Sequence, residues 1–243
     1  MEDVKAFFHK FYNPSNAILC IAGNFELDEV KRLVEKWYGD IPSKMKPARI
    51  LTAELPQTEF REQTVIRNVP NDMIYMAYHM PDRLNPMYYA TDLISDVLSN
   101  GNSSRMYQTL VQKEKMFTEL DAYLSGDYEP GLFIVSGKPS DGVSLETARK
   151  AIEVELDRMK QERVSEYELE KVKNKTEANI EYAEMNYLTK AMNLATNEIL
   201  QDAGLINSQI DFYRSVTSAQ IQEVSQQLFR PENCSILNYI AKK

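Results

Sequence analysis

The two ends of the chain repeat one short pattern, which is a helix, the residues Pro-x-Asn and an apolar strand. The copies lie 217 positions apart, so that Pro14 and Asn16 match Pro231 and Asn233. The other matched positions are Val4, Phe7, Phe11 and 17–22 in the first copy, and Ile221, Val224, Leu228 and 234–239 in the second. A unit that recurs at a fixed offset indicates duplication, so we infer two homologous domains that end alike. A chance match of two short helix–strand units is the alternative.

The inferred duplication suggests where the domains begin and end. Residues 1–40 would close a first domain, and residues 61–243 would form a complete second domain. The segment between them, 41–60, is polar and carries three prolines, which is typical of a linker. Because the chain opens directly on a helical pattern, we expect it to be part of a longer protein.

Helical and strand patterns follow one another irregularly along the chain. Helices are predicted over 3–12, 27–39, 87–99, 103–115, 143–162, 165–202 (with a break near 185–190), 208–214 and 217–229. Strands are predicted over 17–23, 61–69, 73–80, 118–128, 131–137 and 234–241. Since helices and strands are partly segregated, without regular βαβ alternation, the predicted fold class is α+β.

Composition excludes several classes of function. No apolar run approaches the roughly 20 residues that a membrane-spanning helix needs. The chain carries 28 basic and 36 acidic residues, a net charge of −8, and lacks the basic excess of a nucleic-acid-binding protein. It has eight glycines and neither a GxGxxG nor a P-loop pattern, so a phosphate-binding loop is not expected. No compartment is indicated.

The chain offers few residues for a zinc site. It has two histidines, His9 and His79, and two cysteines, Cys20 and Cys234. Zinc sites use three or four His, Cys or carboxylate ligands at recognisable spacing, and no HExxH, HxxEH or CxxC is present. We therefore predict no metal site and no catalytic residue in this chain.

One polar loop is the candidate for contact with a peptide or a partner. It joins two predicted helices and consists of Asn100, Gly101, Asn102, Ser103, Ser104 and Arg105. Its backbone amides could bind a peptide backbone. The same residues also fit an ordinary helix C-cap at Gly101 and an N-cap at Ser103 or Ser104. The carboxylates of the long helix 165–202, Glu168 and Glu177 among them, are interpreted as a solvated face.

Three stretches resemble the pitrilysin/insulinase family of zinc peptidases, which includes the mitochondrial processing peptidases. The first carries a Y-x-P-x-N turn, an Ala-Gly-Asn strand end and a Gly-x-Ile-Pro helix end. The second is LSNGNSSRMYQTLVQKEKMFTEL at 98–120, and the third is the closing helix and strand at 216–243. The residues of the first stretch are Tyr12, Pro14, Asn16, Ala22, Gly23, Asn24, Gly39, Asp40, Ile41 and Pro42.

The resemblance implies a metallopeptidase-like α+β domain with an antiparallel-rich mixed sheet, preceded by the tail of a homologous domain. It implies that zinc belongs to the parent protein, in an HxxEH domain that this chain lacks. The chain would then be the non-catalytic C-terminal portion, forming a wall of the peptide chamber with 99–105 and the edge strands facing the substrate. A dimeric parent, with like or unlike subunits, is also implied.

Two departures from the family pattern bear on function. An arginine and a tyrosine of the family's non-metal half, aligned through Leu110, fall on Val111 and Thr118. Neither side chain supplies a positive charge or a phenol, so no catalytic role is transferred. The alternative that remains open is a scaffold without peptidase activity, such as the core subunits of respiratory complexes that share this fold.

Overall fold

The computed structural model describes residues 1–48, 52, 54–126, 128–200 and 202–242. The helices are α1 (Glu2–Phe11), α2 (Leu27–Tyr38), α3 (Met87–Ser99), α4 (Leu145–Gln161), α5 (Glu166–Glu184), α6 (Tyr187–Ile199), α7 (Gln209–Ser215) and α8 (Ser218–Leu228). The strands are β1 (Arg61–Arg67), β2 (Met73–His79), β3 (Phe117–Ser125), β4 (Leu132–Pro139) and β5 (Cys234–Ala241). Short 3-10 turns lie at Pro14–Asn16, Ala203–Asn207 and Pro231–Asn233, and a π-helix spans Tyr107–Lys113.

The chain forms two compact units. One comprises Met1–Glu54 with Asn179–Gln209, and the other comprises Leu55–Ala178 with Ile210–Lys243. Positions 49–51 and 53 of the predicted linker, and position 127 of the predicted strand 118–128, lie outside the described residues. The proposed domain limits at 41–60 stay a prediction.

The second unit is built on one mixed sheet in the order β1-β5-β2-β4-β3. The pair β1–β5 is parallel, whereas β5–β2, β2–β4 and β4–β3 are antiparallel. The predicted antiparallel-rich α+β fold is therefore confirmed. β1 and β3 are the two edge strands.

Side-chain alternation decides which face of the sheet carries the core. In β2, Ile74, Met76 and Tyr78 are buried, and in β4, Phe133 and Val135 are buried. Since successive strand residues point to opposite faces, these side chains share one face, on which α3 and α4 pack. α8 packs against both of these helices. The opposite face of the sheet carries the residues that alternate with these along β2 and β4, and most of them are half-buried.

The first unit differs from the prediction at 17–23, where a buried strand was expected. Residues 17–22 belong to no strand, and Ile18, Leu19 and Ile21 are exposed. A strand is defined by hydrogen bonds to a neighbouring strand, and apolar composition alone cannot supply that neighbour. The strand prediction is therefore wrong for this structure, although the flanking helices α1 and α2 lie where they were expected.

This difference leads to a prediction about amide exchange. The amides of Leu19 and Ile21 should exchange on the order of 100-fold faster than those of Ile134 and Val135, because the latter lie in the central ladder of the sheet. Hydrogen–deuterium exchange of a dilute monomer measures this directly. Equal protection of the two segments would show that 17–22 is paired in solution.

The sequence repeat has a common local structure in both units. In each copy a helix is followed by a Pro-x-Asn 3-10 turn, and the asparagine side chain donates back to the fifth residue before it. Asn16 Nδ2 lies 2.9 Å from the Phe11 carbonyl oxygen, and Asn233 Nδ2 lies 2.9 Å from that of Leu228. The turn therefore covers a carbonyl that a helix C-terminus leaves without a donor. The second copy alone continues into a paired strand, β5.

The segment after the candidate loop is wound more widely than predicted. An α-helix was expected over 103–115, but residues 107–113 form a π-helix. The π-helix ends at Lys113, and two residues later Lys115 is a non-glycine residue with φ of 54°. π-Helical turns are rare and frequently lie at functional sites. This one leads directly into the edge strand β3.

Candidate functional site

The candidate loop 100–105 begins where α3 ends. Asn100 is the C-cap of α3, and Gly101 follows with φ of 97°, the left-handed backbone that glycine adopts without strain. A Cβ at position 101 would lie 3.5 Å from Lys175 Nζ. The predicted glycine cap of α3 therefore lies one residue after Asn100, and it is the positive φ that favours glycine, because a Cβ there would make only an ordinary contact.

The predicted N-cap is not formed. The Ser104 side chain is buried, and its Oγ is without a hydrogen-bond partner in the part of the chain that is described. Ser103 Oγ instead accepts a hydrogen bond from Lys171. An N-cap serine would accept from an amide two or three residues further on. The next helix thus starts without side-chain capping from either serine.

Helix α5 supplies the contacts that hold the loop. Lys171 Nζ donates to the Ser103 carbonyl oxygen at 3.0 Å and to its Oγ at 3.1 Å. Lys175 Nζ donates to the Asn100 carbonyl oxygen at 3.0 Å and to its Oδ1 at 2.6 Å. The interpretation of the carboxylates of this helix as a solvated face is wrong for Glu168, which lies on the same side of α5 and is only 18% exposed.

Arg105 closes the loop with a bidentate ion pair to α5. Its Nε and Nη2 lie 2.9 Å and 2.8 Å from the two carboxylate oxygens of Glu168. The two side chains are only 14% and 18% exposed, and Arg105 Nη1 also lies 3.3 Å from Met159 Sδ. The hydrogen bond to Glu168 raises the pKa of the Arg105 guanidinium, so the guanidinium stays charged. Arg105 is thus a structural anchor in this unit.

We predict that Arg105→Lys lowers the free energy of unfolding by about 1–2 kcal/mol, because lysine keeps the charge but not the two parallel hydrogen bonds. Urea denaturation followed by circular dichroism measures the change. The control is Arg230→Lys, whose side chain is 54% exposed and pairs with Glu232 at 3.7 Å. Equal losses in the two variants would contradict the anchoring role.

A cleft of about 560 Å³ opens beside the loop, between α3 and the end of β3. Asp92, Asp96 and Asp121 contribute three carboxylates to its lining. Asp96 accepts hydrogen bonds from Asn100 Nδ2 and Thr176 Oγ1. The other lining residues are Tyr88, Ser95, Ser99, Asn100, Gly101, Ala122, Tyr123, Leu124 and Gly126. The walls of the cleft are therefore acidic and partly aromatic.

Asp92 is an acid of the cleft whose pKa is raised. Loss of solvation raises its pKa from 3.8 to about 6, although the hydrogen bond from Tyr213 Oη, 2.5 Å from Asp92 Oδ2, opposes this rise. The negative charge of Asp96 raises the same pKa further, and Arg83 lowers it. A carboxyl group of this kind changes charge in mildly acidic solution.

The edge strand β3 is partly closed by the end of α3. Ser99 Oγ donates to the Ala122 carbonyl oxygen at 3.0 Å and accepts from the Ala122 amide at 2.7 Å. One hydroxyl therefore satisfies both outward-facing backbone groups of Ala122. Such covering limits the pairing of an edge strand with another chain at that point. We expected the edge strands to face a peptide. In β3, the backbone of Ala122 is already bonded to Ser99 and is not open to a peptide strand.

The face of the sheet opposite the helices presents a mixed surface. Tyr75 lies beside Leu237 on β5 and Ser136 on β4, and Asp121 follows on β3. The next row aligns Ser235, Ala77, Ile134 and Tyr123. These side chains are half-buried or exposed. This face can therefore contact another polypeptide through aromatic, aliphatic and polar groups.

Val111 and Thr118 occupy the two positions aligned with the family's arginine and tyrosine. Val111 lies half-buried in the π-helix, and Thr118 is exposed in β3, where its Oγ1 donates to the Lys138 carbonyl oxygen at 3.3 Å. Neither residue belongs to the group of loop residues that α5 holds. Their loss as substrate-binding groups stays a prediction.

The residues present do not fit a zinc site. Among the described ranges, no three His, Cys, Asp or Glu side chains come together in a way that could hold a metal ion. The three aspartates of the cleft are accordingly not metal ligands in this geometry. In the same described part of the chain, no helix combines the length and the apolar character that crossing a bilayer requires.

The mixed sheet with helices packed on one face is the α+β fold of solved M16 peptidase inactive domains. Residues 1–176 match the family model described as the peptidase M16 inactive domain, and the chain belongs to this family. The resemblance to the zinc peptidases, in their non-catalytic C-terminal portion, is thereby confirmed.

Individual relatives agree with this assignment. The chain is 26% identical over 179 residues to the zinc protease PqqE of Helicobacter pylori, covering 71% of this chain and 40% of the relative. Its fold matches a protease structure from Helicobacter pylori with a TM-score of 0.91 and 18% identity, over 98% of this chain and 59% of that one. The chain spans about half the length of the curated relatives it matches.

The same fold also occurs outside proteins named as proteases. A chain of complex III2 from Candida albicans matches with a TM-score of 0.74 and 15% identity, over 89% of this chain and 53% of that one. At this identity the likeness concerns the fold alone.

Proposed function

We propose that this chain is the non-catalytic C-terminal domain of a zinc metalloendopeptidase and forms one wall of its peptide chamber. The sheet face without helices is the observation that carries the proposal. Tyr75, Leu237 and Ile134 offer apolar contacts there, and Ser136 offers a polar one. Aligned in rows across the strands, these groups suit an extended polypeptide lying on the sheet.

In the proposed enzyme, zinc would activate the water that cleaves the peptide bond, and an accompanying HxxEH domain would hold it. The residues of this chain would bind and orient the peptide and keep solvent away from it. The loop 100–105 would contribute at the rim of the same surface. We further propose a dimeric parent, with like or unlike subunits.

The test compares the isolated chain with the chain supplemented by an HxxEH domain. The isolated chain should bind zinc weakly and leave an unstructured peptide intact, while the supplemented chain should cleave it in a chelator-sensitive manner. The double variant Val111→Arg/Thr118→Tyr serves as a control. The introduced guanidinium and phenol can stabilise only a peptide carbonyl that zinc already polarises, so the isolated double variant should stay inactive. Tight stoichiometric zinc and cleavage by the isolated chain would overturn the proposal.

A scaffold function is the second candidate, favoured by the likeness to a chain of complex III2. The two candidates differ in the domain that accompanies this chain in the whole protein. An intact HxxEH motif there, with zinc bound on purification, would favour the peptidase. A degenerate motif together with stable association into a larger assembly would favour the scaffold.

A further inference from the structure

We infer that Lys171 and Lys175 are positioning residues, which fix the conformation of the loop 100–105 without contributing to the folded core. The inference rests on the proposed function only where it concerns the peptide, because the loop is the segment assigned to the rim of the chamber. The positioning itself follows from contacts within one compact unit.

The first step is the alignment of three side chains on α5. Glu168, Lys171 and Lys175 are spaced by three and four residues, so they lie on one face of the helix. Each contacts a different part of the loop: Glu168 binds Arg105 at its end, Lys171 binds Ser103, and Lys175 binds Asn100 at its start. The loop therefore lies along this face for its whole length.

The second step is the lack of a side-chain cap on the helix after the loop, which leaves Asp96 on α3 and Gln108, whose Nε2 donates to the Asn102 carbonyl oxygen, as the other side chains that support the loop. The helix after the loop begins without side-chain capping, as the unbonded hydroxyl of Ser104 shows. The carbonyl groups of Asn100 and Ser103 lie beyond the hydrogen-bonded turns of α3. Charged donors bind such carbonyls well at a helix C-terminus, where the helix dipole is negative. The two ammonium groups accordingly take the place of backbone caps.

The third step separates positioning from core stability. Lys171 and Lys175 are half-buried on the loop side, whereas Leu169 and Val172 are the residues of α5 that enter the core. Lys173, in contrast, is buried and binds the Arg214 carbonyl oxygen at 3.0 Å. Removing the ammonium groups of Lys171 and Lys175 should therefore loosen the loop and leave the core in place.

The test is hydrogen exchange of the full 243-residue chain carrying Lys171→Met and Lys175→Met, which keep the apolar stems but remove the charges. The reporters are the amides of Asn100, Gly101 and Ser104, which bond to the carbonyl oxygens of Asp96, Ser99 and Gly101. These amides should exchange at least about tenfold faster than in the parent chain, while Val135 in β4 keeps its rate.

Two further variants complete the experiment. Lys171→Arg with Lys175→Arg restores positive donors and should bring the loop rates back to within about threefold of the parent chain. Lys150→Met removes an ammonium group that is 69% exposed and bound to Glu146, and it should leave the loop unchanged. Unchanged loop exchange in the methionine variant, or equal acceleration at Val135, would overturn the inference. Because no peptide is present, this result is independent of the proposed function.

Discussion

Asn233→Ala should lower the free energy of unfolding by about 2–4 kcal/mol. The side chain is 6% exposed, and its Nδ2 donates to the carbonyl oxygens of Leu228 at 2.9 Å and His79 at 3.0 Å. Alanine leaves both acceptors without this donor, and each buried acceptor left unpaired costs about 1–3 kcal/mol. One amide thus connects the end of α8, the end of β2 and the start of β5.

The sequence repeat provides a matched control for this substitution. Asn16 occupies the same place in the first copy of the motif and donates to Phe11, but it is exposed. Asn16→Ala should therefore cost well under about 1 kcal/mol, because water can replace the lost hydrogen bond. Urea denaturation of both variants gives the comparison. If both variants lost a similar amount of unfolding free energy, burial would not explain the larger contribution expected of Asn233.

The elements that depend on local pattern could be predicted from the sequence. The 3.6-residue period of α3 and the apolar run of β5 gave the bounds 87–99 and 234–241, which the structure reproduces. The break in the long helix near 185–190 lies between α5 and α6. In these cases the residues that form the element also determine its limits.

The features that were missed depend on residues far apart in the sequence. Whether 17–22 becomes a strand depends on a neighbouring strand, which its own apolar residues cannot reveal. The role of Lys175 depends on Asn100, 75 positions away, so its charge alone resembled that of any solvated lysine. The sequence nevertheless contained a usable signal. Its spacing places one carboxylate, Glu168, and two ammonium groups, Lys171 and Lys175, on the same face of the helix, as a face that binds a polar loop requires. The polar loop was named as a candidate from its composition, but the side chains of α5 that bind it were not recognised.

Asp92→Asn should raise the free energy of unfolding relative to the parent chain by an amount that grows with pH. This difference should reach about 2–3 kcal/mol between pH 4 and pH 8. The folded protein holds the Asp92 proton up to pH of about 6, because its pKa is raised to that value, whereas the unfolded chain releases it near 3.8. Each unit of pKa difference corresponds to about 1.4 kcal/mol. The folded state therefore binds more protons than the unfolded state between these values, and stability is lost as the pH rises through them.

Asparagine avoids this loss because it stays neutral and keeps an oxygen that can accept from Tyr213 Oη. The difference in unfolding free energy between variant and parent, measured in urea at several pH values, cancels the titration of all groups that the two chains share. That difference should be small at pH 4, rise through pH 6 and level off by pH 8. Asp121→Asn controls for the loss of one negative charge from the same cleft. If this difference in unfolding free energy did not change with pH, the prediction would be wrong. Water in the cleft would then solvate the Asp92 carboxylate, and folding would not raise its pKa.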